Sequence, residues 1–323
     1  MALVIAQYGQ GGPEVLRAED RALPSPTATQ VALDQQAIGF NYFDVLQRKG
    51  LLSDDMPGRV IGIEGAGIVT SVGSEVEHFA VDDRVGYLRS QGAYAETRVI
   101  DSDMLFHLPP DVSFEIAAAL TVKGFMAWLC VYRLLDVQRD QIVLVTTAAG
   151  GVGSLTARLA AHRGARVFGV VGSAAKQGTA RDSGAVDVAV GLDDAFDMVA
   201  HVTDGAGVDV VFDGIGADTA DRLLAADAVR SGGTIVSFGA SAGWPKADPA
   251  AVARRRATVL TPQALTHLKS AGELREAMAE VFRLYRNGAF GEVPLTRYPL
   301  REAARLHQDV DSRVSTGLSI LLP

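Results

Sequence analysis

The chain has 323 residues, 48% of them hydrophobic, and sets 30 Lys and Arg against 38 Asp and Glu for a formal net charge of −8. It is long enough for two domains with a large buried core, and its acidic balance argues against a nucleic-acid partner, which needs clustered positive charge. A single cysteine, Cys130, excludes an internal disulfide and a four-cysteine metal lobe.

Residues 1–7 lack the cationic region and long apolar core of a secretory signal. No apolar run approaches the ~20 residues that cross a bilayer, so a soluble cytoplasmic protein with no membrane partner is expected. Up to about residue 120 the chain reads as short strands, at 2–7, 30–38, 65–72, 83–88 and 93–100. Turns at Gly11-Gly12-Pro13, Pro24-Ser25-Pro26 and Met56-Pro57-Gly58 punctuate them. Near residue 111 the texture changes: Asp111 or Ser113 caps a helix with the body Ile116-Ala117-Ala118-Ala119-Leu120, and a second helical run follows from Gly124 to Leu135. Cys130 sits there among Trp128, Leu129 and Val131, the setting of a buried, inert thiol.

The β-branched run Gln141-Ile142-Val143-Leu144-Val145-Thr146 then meets Thr147-Ala148-Ala149-Gly150-Gly151-Val152-Gly153, a helical pattern from Ser154 to Gly164, and a second apolar run at 166–171. Strand, glycine turn, helix and strand make a βαβ unit, the context in which such a turn binds a dinucleotide. Glycines 150, 151 and 153 let a pyrophosphate approach the backbone, and the helix start directs unpaired N–H groups at it. The pattern departs from G-x-G-x-x-G in having Ala148 at the first glycine. Further helices are expected over 174–182, 194–203 and 218–228, and strands over 187–190, 208–213 and 233–238, the rhythm of a parallel sheet covered on both faces. The cluster Arg254-Arg255-Arg256 reads as a solvated face. Thr261-Pro262 marks a return crossing, residues 273–286 form a helix with apolar positions at helical spacing, and a last strand over 318–322 is expected to rejoin the first domain.

An acidic residue at the end of the second strand would hold the ribose 2′-hydroxyl of NAD. Val171-Gly172-Ser173-Ala174-Ala175-Lys176 carries none there, whereas Ser173 and Lys176 suit a 2′-phosphate, so NADPH is the expected cofactor.

The ordered motifs Asn41-Tyr42-Phe43-Asp44, Gly62-Ile63-Glu64-Gly65-Ala66-Gly67-Ile68-Val69, Gly92-Ala93-Tyr94-Ala95-Glu96, Val122-Lys123-Gly124, Ala148 to Gly153, Val236-Ser237-Phe238-Gly239 and Ser312-Arg313 span the chain. It resembles the zinc-independent quinone oxidoreductases, the zeta-crystallin-like branch of the medium-chain dehydrogenase/reductase superfamily. The resemblance implies an α/β fold: a Rossmann doubly wound parallel sheet over residues 123–264, and a GroES-like β-rich domain built from both chain ends, 1–122 and 265–323. It implies an active site in the cleft and a homodimer formed through the Rossmann domains. It places Ala149, Gly150, Gly151 and Val152 at the pyrophosphate and Gly172, Ser173 and Lys176 around the 2′-phosphate. Phe238, Gly239 and Ser241 fall along the nicotinamide ribose, Arg313 near the cofactor phosphates, and Asn41 and Tyr42 beside the nicotinamide and the acceptor. From sequence alone Tyr42 reads equally well as a packed core tyrosine, and Asp44 as a structural hydrogen-bond acceptor or a catalytic group.

Where related zinc enzymes carry a catalytic cysteine and histidine, the resemblance aligns Asn41 and Ile63. The six histidines are scattered, and none pairs with another at ligand spacing. No metal is expected. Without a Lewis acid the fitting reaction is hydride transfer to an electron-poor small molecule, a quinone or alternatively the enone of an enoyl or acrylyl substrate; a binding protein without turnover is the reading from another class. The chain departs from its family at Leu46 and Leu52, where tyrosines are common, at Met126 in place of a threonine, and at Gly191 in place of a tyrosine beside the adenine phosphate. These changes make the acceptor pocket more apolar and weaken the NADPH preference.

Overall fold

Apolar side chains on both faces make β1 (Ala2–Gln7) a fully buried strand, and it pairs antiparallel with β2 (Leu16–Arg21). The computed structural model describes residues 1–52, 57–88, 90–262 and 267–323. Met56 of the expected turn Met56-Pro57-Gly58 lies outside them. The described chain divides into two units. Met1–Phe125, Leu268–Arg283 and Val293–Pro323 form the first, and Met126–His267 and Leu284–Glu292 the second. The expected boundary at 264/265 falls outside the described residues, and Leu284–Glu292, expected in the β-rich domain, groups with the second unit.

After β3 (Gln30–Gly39) comes a short helix α1 (Tyr42–Arg48), followed by β4 (Arg59–Val60), β5 (Glu64–Val72), β6 (Arg84–Leu88), β7 (Thr97–Asp101) and β8 (Leu105–His107). The strand expected over 93–100 is regular only from Thr97. The preceding backbone serves other partners: Gln35 Nε2 donates to the carbonyls of Ala93 and Ala95, and Ile5 N to that of Tyr94.

Where two helices were expected, α2 (Phe114–Trp128) runs unbroken and continues as a π-helical turn over Leu129–Leu134. Ser113 is the cap, its Oγ accepting from Ile116 N at 3.2 Å. Gly124 does not interrupt the helix; its missing Cβ admits Val281, which would stand 3.2 Å away. The expectation that no apolar run reaches membrane-spanning length is corrected by Phe114–Leu134: its 21 residues suffice in length and composition, but 78% of its apolar window is buried inside the protein, as for a core helix. Cys130 is buried, and burial pushes its thiol up to about 12, where it is not a nucleophile.

The second unit alternates as expected: β9 (Ile142–Val145), α3 (Gly151–His162), β10 (Arg166–Val171), α4 (Gln177–Asp182), β11 (Asp187–Val190), α5 (Leu192–Val202), β12 (Val208–Asp213), α6 (Thr219–Ala225), β13 (Val229–Ser237), α7 (Pro249–Arg255) and β14 (Thr258–Leu260). The strands form one parallel sheet in the order β11-β10-β9-β12-β13-β14, which is the doubly wound arrangement reversing direction beside β9. Arg255 departs from the expected solvated face. It is half-buried, and its guanidinium donates to the Val229 carbonyl and pairs with Asp227 at 3.0 Å, tying α7 to the sheet.

The tail adds α8 (Ala271–Arg286), β15 (Leu295–Pro299), α9 (Ala303–Asp311) and β16 (Leu318–Leu322). β16 pairs antiparallel with β3, so both chain ends complete one sheet, ordered β15-β16-β3-β5-β6-β8 with β7 also on β3. That sheet and α9 enclose a core including Leu33, Ile38, Val69, Tyr87, Leu306 and Leu321.

Gly39, at the end of β3, is a close-approach point: a Cβ there would overlap the Glu64 carboxyl and the Ala118 carbonyl oxygen. Gly39→Ala is expected to destabilise the protein by about 2 kcal/mol, as overpacking against fixed backbone does. A urea-unfolding midpoint equal to that of the parent protein would show that the packing yields instead.

Candidate active site

Asn41 is the N-cap of α1. Its extended backbone (φ −128°, ψ 151°) and a reciprocal capping box fix it: the Asn41 side chain accepts from the Asp44 amide, and Asp44 Oδ2 accepts from Asn41 N at 2.9 Å. Asn41 Nδ2 donates to Glu64 Oε1 at 2.7 Å. Lys123 Nζ donates to the same oxygen at 2.8 Å, and Val122 N to Glu64 Oε2 at 2.5 Å. Glu64 is wholly buried, with Lys123 at 5% and Asn41 at 6% exposure, so a carboxylate and an ammonium neutralise each other directly behind the carboxamide.

Asp44 accepts from Asn41 N and from the Tyr94 hydroxyl. Burial above all, reinforced by the charge of Glu64, raises its carboxyl to about 7, against the opposing effects of the Asn41 N–H, Lys123 and Tyr94. The Tyr94 hydroxyl donates to Asp44 Oδ2 at 3.2 Å and lies 3.2 Å from His307 Nε2. His307, on α9, is held neutral: burial, then the nearby Arg48 charge, lower it to about 3. Arg48, at the other end of α1, is fully buried and donates to Asp311 at 2.5 Å, while Lys49 pairs with the same carboxylate at 2.7 Å. A polar column therefore fastens α1 to α9.

Tyr42 is 36% exposed, which removes the reading of a packed core tyrosine. Leu46, one helical turn on, is buried, and Leu52 is half-buried. Met126 is buried in the second unit. Arg313 is an exposed left-handed residue (φ 57°) following α9, in the first unit.

In the second unit, Ala149 is buried, while Gly150, Gly151 and Val152 are half-buried. Gly150 is the N-cap of α3 and makes no side-chain cap; Ser154 N is the first amide to bond back, to Gly150 O at 2.8 Å. The amides of Gly151, Val152 and Gly153 thus precede the helical ladder, as an anion site requires. At Gly153 a Cβ would overlap Thr147 O, so its absence lets the start of α3 pack against the turn. Gly172 and Ser173 are exposed and Lys176 half-buried. A Cβ on Gly172 would meet nothing of the protein within 4 Å. Gly191 N bonds to Val171 O at 2.9 Å, and its backbone at φ 88°, ψ 167° is confined to glycine, so a tyrosine there would force the turn to move.

Phe238 and Gly239 are half-buried and donate through their amides to Asp213 O at 2.9 and 3.2 Å; Ser241 is exposed, its Oγ 3.5 Å from Ile215 O. Sequence reasoning passed over Asp213 itself. Its buried carboxylate accepts from Thr146 Oγ1 (2.9 Å), Ser237 Oγ (3.0 Å), Ile215 N (2.9 Å) and Gly216 N (3.2 Å), clamping the ends of β9, β12 and β13 beneath the glycine turn. Burial raises its pKa, and those four donors oppose the rise. Glu64 and His307 were equally unassigned, since their partners lie far away in the chain. An acid inside an otherwise apolar and glycine strand, as in Gly62-Ile63-Glu64-Gly65-Ala66, was the available signal. Among the described residues, no group of three or more His, Cys, Asp and Glu is arranged to hold a metal ion.

A doubly wound sheet with a glycine turn, joined in one chain to a GroES-like sheet, defines a medium-chain dehydrogenase/reductase. Residues 27–110 match the alcohol dehydrogenase GroES-like domain and residues 151–283 the family described as zinc-binding dehydrogenase. The chain is 34% identical to quinone oxidoreductase 1 of Escherichia coli K12 over the full length of both. Full-length superposition on the E. coli quinone oxidoreductase complexed with NADPH gives a TM-score of 0.93. A 2-haloacrylate reductase of Burkholderia is 33% identical, covering 100% of this chain and 99% of its own. The chain belongs to the quinone oxidoreductase, zeta-crystallin-like branch of the superfamily.

Asp44 gives the site a pH signature. Its folded pKa of about 7 lies above the ordinary 3.8, so its contribution to stability is full below pH 3.8 and is lost as pH rises through about 7. Asp44→Asn, which does not titrate, is expected to gain stability relative to the parent across that window, by up to about 1.4 kcal/mol per pH unit. Urea unfolding from pH 4 to 8 measures this; a stability difference independent of pH would refute the assignment.

Proposed function

We propose that this protein is a metal-free, NADPH-dependent oxidoreductase that reduces a quinone. The observation that carries the reading is the fixed Asn41 carboxamide: at the position where the family resemblance sets a zinc-ligating cysteine in related enzymes, this chain presents a neutral hydrogen-bond donor backed by Glu64 and Lys123. Ile63, at the histidine position, is buried and has no lone pair to offer.

The residues fit the cofactor. Free amides at the start of α3 suit the pyrophosphate, the open space at Gly172 with the Ser173 hydroxyl and Lys176 suits the 2′-phosphate, and Phe238, Gly239 and Ser241 suit the nicotinamide side. Arg313 is assigned to the cofactor phosphates. NADPH, when bound, supplies the hydride. Asn41 then donates to the acceptor oxygen on which negative charge develops, Tyr42 borders the ring with its exposed face, and solvent supplies the proton that completes the hydroquinone. Leu46, Leu52 and Met126 give the acceptor an apolar setting. The related 2-haloacrylate reductase supports a second reading, reduction of an α,β-unsaturated carbonyl, in which the proton reaches the α-carbon from Tyr42 or water. Cytoplasmic location and a homodimer complete the proposal.

Purified protein is expected to oxidise NADPH with 1,4-benzoquinone or 9,10-phenanthrenequinone faster than with an enone or an enoyl thioester, and to contain no stoichiometric zinc. Higher kcat/KM for the enone selects the second reading, and tight NADPH binding with no turnover of any acceptor removes both. Lys176→Ala is expected to raise KM for NADPH about tenfold, the equivalent of one charge-assisted hydrogen bond, with little change for NADH. Equal effects on the two cofactors would remove Lys176 from the 2′-phosphate.

A further inference from the structure

The environment of Asn41 says more than that it is present. A carboxamide has two N–H donors and one carbonyl acceptor. Glu64, as a carboxylate, only accepts, so the 2.7 Å contact must use an Nδ2 hydrogen, and this fixes which end of the amide is nitrogen. The carbonyl end is turned to the Asp44 amide of the capping box, whose hydrogen bond runs to the Asn41 main-chain carbonyl at 3.0 Å. With the amide set in this way, one Nδ2 hydrogen remains, in a fixed direction.

Glu64 is itself held rigidly. Lys123 Nζ and Val122 N bind its two oxygens at 2.8 and 2.5 Å, and Gly39 lacks the Cβ that would displace it. We infer that Glu64 and Lys123 are positioning residues: Lys123 and the Val122 amide hold the Glu64 carboxylate in place, and Glu64 aims the remaining Asn41 N–H at the acceptor's carbonyl oxygen. The destination of that hydrogen rests on the proposed acceptor reduction; the orientation of the amide does not. The charged and titratable groups around Glu64 are Lys123 from α2, Asp44 from α1, Tyr87 from β6, and Tyr94 from the segment before β7. Among the described residues, only Lys123 is a cation in direct contact with it. Without that contact the Glu64 carboxylate loses one of the partners that fix it, and its grip on Asn41 loosens.

The chain allows a direct test because it contains only two asparagines, Asn41 and the exposed Asn287. Selective 15N-asparagine labelling of the full-length protein therefore gives two side-chain amide pairs, and Asn287→Asp removes one of them. The expected result is an Asn41 pair whose hydrogens exchange with solvent far more slowly than those of Asn287. Titration with 1,4-benzoquinone in the presence of NADP+ should shift one Asn41 hydrogen much more than the other. In Lys123→Met the Asn41 pair should exchange faster than in the parent, approaching Asn287, and its two hydrogens should shift more nearly alike on addition of the quinone.

In steady-state assays Lys123→Met should lower kcat on the order of 10-fold or more, with KM for NADPH unchanged. In the parent, an Asn41 pair that exchanges like Asn287 overturns the inference even if the variants do not fold. So does a folded Lys123→Met protein whose Asn41 pair exchanges and shifts as in the parent. If instead the amide behaves as expected but the quinone shifts neither hydrogen and no acceptor is turned over, the quinone-reductase reading and the hydrogen's assigned destination fail, while the positioning of Asn41 by Glu64 and Lys123 stands.

Discussion

The first unit depends on a charge that cannot be left alone. Glu64 lies wholly inside the protein, where an unpaired carboxylate would cost several kcal/mol. Lys123, a backbone amide and the Asn41 carboxamide together remove that penalty. In doing so they join β5, the middle of α2 and the start of α1. A well-packed apolar cluster would hold the same elements at least as strongly. What it would not do is set the direction of a hydrogen-bond donor, and that is where the polar arrangement and the proposed chemistry meet.

The second unit solves a similar problem with neutral groups. Asp213 sits where three parallel strands end, and two hydroxyls and two backbone amides satisfy its oxygens without a counter-ion. Its carbonyl also receives the amides of Phe238 and Gly239. The strand end before the glycine turn and the segment 238–239 thus lean on one residue, the first through the Asp213 carboxylate and Thr146, the second through the Asp213 carbonyl.

Much of the fold was legible because the strands of the second unit are continuous β-branched runs and its helices are punctuated by glycine. The same logic found the strand over 318–322, though only pairing with β3 showed why it matters. Short elements escaped. The sequence Leu-Arg-Ala-Glu-Asp-Arg of β2 has a single strongly apolar position, and α1 is one capping box and seven residues long. The unbroken α2 was misread at Lys123-Gly124, where a charge and a glycine mimic a boundary; one ties the helix to Glu64 and the other makes room for Val281. Of the site, the motif Asn41-Tyr42-Phe43-Asp44 was visible as a group. The partners that orient it were not, because contacts between residues 41, 64 and 123 leave no periodic trace in one sequence.

Tyr42 and Asn41 are held through α1 at both ends. At its start the capping box and Glu64 set the direction of the Asn41 amide. At its end the buried Arg48 reaches Asp311 on α9, while Asp44 and Tyr94 connect the middle of the helix to His307 on the same C-terminal element. Lys49 shares Asp311 from the exposed side, so the carboxylate there faces two cations, and its pKa falls. A neutral His307 adds no third positive charge to this column, whereas a protonated one would face Arg48 in a buried setting. The helix that carries Tyr42, and that Asn41 caps, therefore owes its placement to a helix that the chain supplies only after residue 302. A GroES-like domain built from both chain ends is for this protein a requirement of α1 as much as of the sheet.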